Sequence, residues 1–77
     1  MDDLAMEIHS YLLEIATEYK GQNFVLIPIT EVVAKFERNH RTIQRRISAL
    51  RDANLLIPVI KKNTATLYAV YEQEDQP

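Results

Sequence analysis

Asn39-His40-Arg41-Thr42-Ile43-Gln44-Arg45-Arg46-Ile47-Ser48-Ala49-Leu50-Arg51-Asp52-Ala53-Asn54-Leu55-Leu56 is the stretch whose reading decides the fold. Ile43, Ile47 and Leu50 recur at helical spacing and predict a helix over 40–53 with one apolar face. Asn39 is a candidate N-cap for it. Asn54 follows the last helical residue, where left-handed backbone is commonly needed and asparagine is the next choice after glycine. Leu55 and Leu56 then fold back on the core. With the three aliphatic residues turned inward, a rotation of about 100° per residue points Arg41, Gln44, Arg45, Ser48 and Asp52 outward.

Upstream, Thr30 offers a side-chain oxygen as N-cap and Glu31 suits the first turn of a second helix over 30–38, with Val32, Val33 and Phe36 on its apolar face. The turn between the two helices is very short. Before it, Phe24-Val25-Leu26-Ile27-Pro28-Ile29 is too short for a helix and rich enough in β-formers for a strand, which Pro28 confines to an edge or ends. A first helix is expected over 2–20, since Leu4, Ile8, Tyr11, Leu12, Ile15 and Tyr19 recur at spacings of three, four and seven. Asp2 and Asp3 suit its positive end, Lys20 its last turn, and Gly21, the single glycine, its left-handed cap.

Downstream, Ile57 to Lys62 and Thr66 to Glu72 are two β-rich runs separated by Asn63-Thr64-Ala65, which predicts a hairpin over 57–72. Residues 73–77 are expected to form a frayed acidic tail. The whole is an α+β chain organised as one domain over 1–77.

Composition narrows the classes of function. The 77 residues are 47% hydrophobic and 26% charged, close to the globular average. There is no cysteine, which removes disulfides, cysteine-ligated zinc and thiol chemistry. His9 and His40 are far apart in sequence and match no metal-binding spacing, Ser10 and Ser48 have no nucleophile context, and one glycine cannot build a phosphate loop. No enzyme, metal or cofactor is expected. No apolar run is long enough to span a bilayer and the Met-Asp-Asp start is unlike a secretory signal, so a soluble, cytoplasmic protein without membrane contact is expected.

Net charge is formally −2, but it is unevenly distributed. Residues 1–34 hold one lysine against six acidic residues, residues 35–62 hold eight basic residues against two acidic ones, and residues 63–77 hold three acidic residues. A local basic face matters more for nucleic acid than the total does.

The order helix, strand, helix, tight turn, helix, hairpin, with Arg41-Thr42-Ile43-Gln44-Arg45-Arg46-Ile47, Leu50 and the exit Ala53-Asn54-Leu55-Leu56, resembles the winged helix-turn-helix DNA-binding domains of prokaryotic regulators and replication initiators. The resemblance spans about residues 4–71. It implies a three-helix winged helix-turn-helix with a short first strand and a C-terminal β-hairpin wing, whose third helix enters the major groove. Two positions depart from the family pattern. Glu37 and Arg38 stand where the family's turn usually has a glycine and a small apolar residue, and Asn54 replaces a glycine.

From this follow the expected site residues. Arg41, Gln44, Arg45 and Ser48 are candidates to read bases, because arginine can be bidentate to guanine, glutamine to adenine, and serine is permissive. Arg38, Asn39, His40, Thr42 and Arg46 flank them as candidates for phosphate. Lys61, Lys62, Asn63 and Thr64 sit at the hairpin tip, which in the resembled family touches the minor groove or the adjacent backbone. Met6 and Leu13 lie roughly 160° from the centre of the first helix's stripe and are expected to be exposed there. In the resembled family that helix often builds a dimer interface, so a weak homodimer through Met6 and Leu13 is expected. The expected function is sequence-specific binding of double-stranded DNA as a small transcriptional regulator. The alternatives are a replication or partition accessory with the same module, and a winged helix whose basic face docks a protein partner.

Overall fold

The computed structural model describes residues 2–62 and 65–73, with only the backbone of Pro28 and Lys62. It is a small α+β domain. In chain order it has α1 (Asp3–Ile15), β1 (Thr17–Tyr19), β2 (Gln22–Pro28), α2 (Ile29–Phe36), α3 (His40–Asp52), β3 (Leu56–Lys62) and β4 (Ala65–Val70). The four strands form one antiparallel sheet in the order β1-β2-β4-β3. One apolar core joins Ala5, Ile8 and Leu12 of α1, Val32 of α2, and Ile43, Ile47 and Leu50 of α3 to Val25, Ile27, Leu56, Tyr68 and Val70 of the strands. These strand residues alternate along their chains, so the helices cover a single face of the sheet.

The element that decided the reading forms as expected. Asn39 caps α3, its side-chain oxygen accepting from the Thr42 N–H at 2.8 Å. At the other end Asn54 adopts φ 62°, its N–H donates to the Arg51 carbonyl and the Leu55 N–H donates to the Leu50 carbonyl, both at 2.9 Å. That pair of bonds is a Schellman ending, and the apolar contact such an ending favours is supplied by Leu50 and Leu55, both fully buried. Replacing Asn39 with alanine is expected to cost about 1 kcal/mol, read as an earlier midpoint in urea. An unchanged midpoint would mean that water satisfies the Thr42 N–H equally well.

The first helix is shorter than its apolar spacing predicts. It ends at Ile15, and Ala16 is already extended at φ −66°, ψ 152°. The β-prone run Thr17-Glu18-Tyr19 instead pairs with Phe24-Asn23-Gln22, adding a strand absent from the expected layout. Gly21 therefore caps no helix. Lys20 and Gly21, at φ 51° and 79°, are the two-residue loop of this hairpin, the combination of two positive φ values that a type I′ turn requires.

Three smaller boundaries also move. The second helix begins at Ile29, directly after Pro28 ends its strand, so Thr30 lies in the first turn instead of capping it, and the helix stops at Phe36 instead of Arg38. Glu37 follows at φ 52°, the left-handed conformation that a glycine would adopt without steric cost. The C-terminal hairpin runs from Leu56 to Val70 instead of 57–72, with a register shift between Pro58 and Ile60. The expected loop residues Asn63 and Thr64, and residues 74–77 of the expected tail, lie outside the described residues.

The buried stripe of α1 is also rotated. Its centre lies on Ala5, Ile8, His9 and Leu12, while Ile15 is 44% exposed and Tyr19, now on β1, is 62% exposed. His9 can occupy the core because its Nε2 donates to the Tyr71 carbonyl at 2.6 Å. The rotation moves Met6 and Leu13 from the opposite face to the flank. Both are half-buried, and Leu13 packs against the core. The exposed pair expected on the outer side of α1 is not there.

Candidate nucleic-acid interface

The orientation of α3 is set by what it buries. Ile43, Ile47 and Leu50 are at most 4% exposed, and this anchor turns Arg41, Gln44, Arg45, Ser48 and Asp52 to solvent. Together with Ala49 these five residues line one shallow depression along the helix. Arg41, Arg45 and Arg51 form no ion pair with a described residue, so their guanidinium groups keep their donors free for a ligand.

A second concavity of about 360 Å³ lies between α3 and the sheet. Gln44, Ser48 and Arg51 line it from the helix, and Ile27, Thr66 and Tyr68 from the strands. Arg51 was not among the residues expected at the site. Helical spacing carries the signal, since Gln44, Ser48 and Arg51 recur at intervals of four and three and share one side. Lys61 belongs to the same region: it is exposed on β3 and pairs across the ladder with Thr66, which places both on the helix-bearing face. The backbone of Lys62 pairs with Ala65.

The flanking residues separate into free and engaged groups. Arg38 is exposed at the turn between α2 and α3, where its Nη1 donates to the Phe36 carbonyl at 3.2 Å. His40 is exposed at the first position of α3. Asn39 spends its side-chain oxygen on the Thr42 N–H, and Thr42 is half-buried. Neither is as available to phosphate as the sequence alone suggests.

Arg46 departs furthest from its expected role. Its Nε is buried 2.7 Å from Asp2 Oδ2, an ion pair without an aligned hydrogen bond, and the side chain is 30% exposed. Packing of α1 on α3 brings the two together. Asp2 also caps α1, its Oδ1 accepting from the Ala5 N–H at 2.9 Å. That bond is the largest cause and holds the Asp2 carboxyl below the ordinary aspartate value; desolvation, the next largest, opposes it, and the charge of Arg46 adds to the lowering. A carboxyl lowered by folding stabilises the fold above its unfolded pKa, and the contribution is lost as pH falls through the lower folded value. At neutral pH the pair is intact, and Arg46 ties the two helices instead of reaching out.

The charged surfaces are segregated in space as in sequence. Asp3, Glu7 and Glu14 lie along the outer side of α1, in a groove completed by Lys35 and Phe36. The basic side chains of α3 and Lys61 lie elsewhere. No described group of histidines and carboxylates could hold a metal ion, and no described helix is long and apolar enough to cross a membrane. No protein-family model, curated protein or solved structure matches this chain.

Proposed function

We propose that this domain is a winged helix-turn-helix that binds double-stranded DNA in a sequence-specific manner through α3, acting as a small transcriptional regulator. The observation that carries this reading is the exposed face of α3. Two arginines without carboxylate partners flank a glutamine on a helix held rigid by three buried aliphatic residues and two capped ends. Those side chains match the donor and acceptor patterns of base edges in a major groove, which is wide enough to admit an α-helix. Further support comes from the short turn before α3, the left-handed Glu37 where the resembled family places glycine, and the β3–β4 hairpin with Lys61 on the same face. A domain of this size acts by occupying its site, blocking or recruiting other proteins. A replication or partition accessory uses the same surface.

Fluorescence anisotropy on a labelled random duplex across a salt series tests the reading. Binding is expected at low salt, with the logarithm of affinity falling linearly against the logarithm of salt as counterions are released. Neutralising Lys61 and Lys62 together is expected to weaken binding on every sequence and make that slope shallower by about 1 to 2 units. An unchanged slope removes the hairpin from the interface. The net charge of −2 favours a second reading, in which the basic face docks an acidic protein partner; absence of DNA binding at low salt decides for it.

A further inference from the structure

The strands carry more apolar residues than the helices cover. Over the middle of β2, β3 and β4 the residues facing away from the helices are also apolar, whereas a sheet with one solvated face normally alternates apolar with polar. The register lines them up in two rows across three strands. Phe24, Ala69 and Ile57 form one row, and Leu26, Leu67 and Ile60 the other. None belongs to the helix-side core, yet Ala69 is 5% exposed, while Leu26 and Ile60 at the two ends of their row are 54% and 48% exposed. Tyr19 continues the patch onto β1.

We propose that a second copy of this chain covers this patch, giving a two-fold dimer in which the two sheets pack face to face. Charge leaves this face as the one open to self-association. The outer side of α1 carries Asp3, Glu7 and Glu14, and the outer side of α3 carries Arg41 and Arg45, so either would meet its own like charges across a two-fold axis. The six residues of the two rows are uncharged and oppose nothing.

Area and edges point the same way. With strands about 4.8 Å apart and about 3.3 Å per residue, the two rows across three strands have a flat footprint of roughly 190 Å² per copy, and side-chain relief and Tyr19 raise the accessible area above this. Two copies bury less than about 1,000 Å², at the low end for a specific interface, so the dimer is weak, with a dissociation constant on the order of micromolar. Pairing through strand edges is disfavoured: β3 carries Pro58 and a register shift, and β1 has three residues. The association does not depend on DNA binding and is measured without DNA.

Sedimentation equilibrium of the whole chain at about 1 to about 300 micromolar spans the expected constant. The average mass is expected to rise from 9.0 kDa towards twice that value. Replacing Leu26 and Ile60 together with lysine places charges in the contact and is expected to raise the dissociation constant roughly a hundredfold or more. Both positions are about half exposed, so the circular dichroism spectrum and the urea midpoint of the dilute monomer should stay near wild type. As a comparison, Glu7→Lys on α1 should leave the mass profile unchanged. A wild-type chain that stays at 9.0 kDa throughout overturns the proposal, whatever else occupies the patch. So does a folded Leu26→Lys/Ile60→Lys protein that still dimerises like wild type.

Discussion

Leu50→Ala is expected to destabilise the domain by about 2 to 5 kcal/mol, the range for truncating a fully buried leucine and leaving a cavity behind. Leu50 is 0% exposed at the point where α3 ends, and its carbonyl accepts the Leu55 N–H that closes the helix. The truncation therefore removes packing from the core and from the contact with Leu55 that holds the exit turn. Domains of this kind have about 0.05 to 0.15 kcal/mol of stability per residue, so the loss is a large fraction of the total for 77 residues. Urea denaturation followed by circular dichroism is expected to show a much lower midpoint or a largely unfolded chain at room temperature. A loss below about 1 kcal/mol would mean that the neighbouring side chains collapse into the space, contrary to the packed core described above.

Leu50 belongs to the part of the fold most legible in the sequence. Ile43, Ile47 and Leu50 lie at one helical spacing, and an asparagine stands at each end of the helix. Asn39 and Asn54 take the cap roles their chemistry suits, so local preference and tertiary packing agree. At α1 they disagree. Ile15 and Tyr19 continue the helical spacing past the true end, and Gly21 serves equally well after a helix or in a type I′ turn. The pairing of Thr17–Tyr19 with β2, a tertiary event, decides between them. The buried face of α1 differs from the expected one for a related reason. Ala5 and His9 carry little weight in a stripe of large apolar residues, yet both are buried, His9 through a hydrogen bond to a carbonyl 62 residues away.

The candidate site divides along the same line. The outward direction of Arg41, Gln44, Arg45 and Ser48 follows from the three buried aliphatics alone. Arg46 could not be placed from α3, because its partner Asp2 becomes a neighbour only when α1 packs on α3. Arg51 has the spacing that joins it to Gln44 and Ser48, but the cleft they line exists only where the sheet closes its other wall. The central residues of the strands lack polar alternation, but no apolar outer face was expected from them. What the strands alone could not show is that every helix lies on the other side.

Replacing Arg41 or Arg45 with alanine is expected to cost about 1 to 3 kcal/mol of DNA affinity each, and replacing both is expected to cost the most of any change at the interface. The two residues are four apart on the exposed side of α3 and flank Gln44 in the same shallow depression, so all three can meet neighbouring base edges. Neither spends its charge on a described carboxylate. The fold does not depend on them, because both are exposed and the helix is held by Ile43, Ile47 and Leu50; the urea midpoint should move by less than about 0.5 kcal/mol in stability terms. Arg46→Ala serves as the contrast, since its pairing with Asp2 predicts a change in stability and little change in base preference. Selection of bound fragments from random duplex DNA, repeated with each variant, separates base reading from phosphate contact. Relaxed preference at particular base pairs assigns Arg41 and Arg45 to bases. Equal weakening on every sequence assigns them to phosphates, and affinity unchanged by the double replacement removes α3 from the interface altogether.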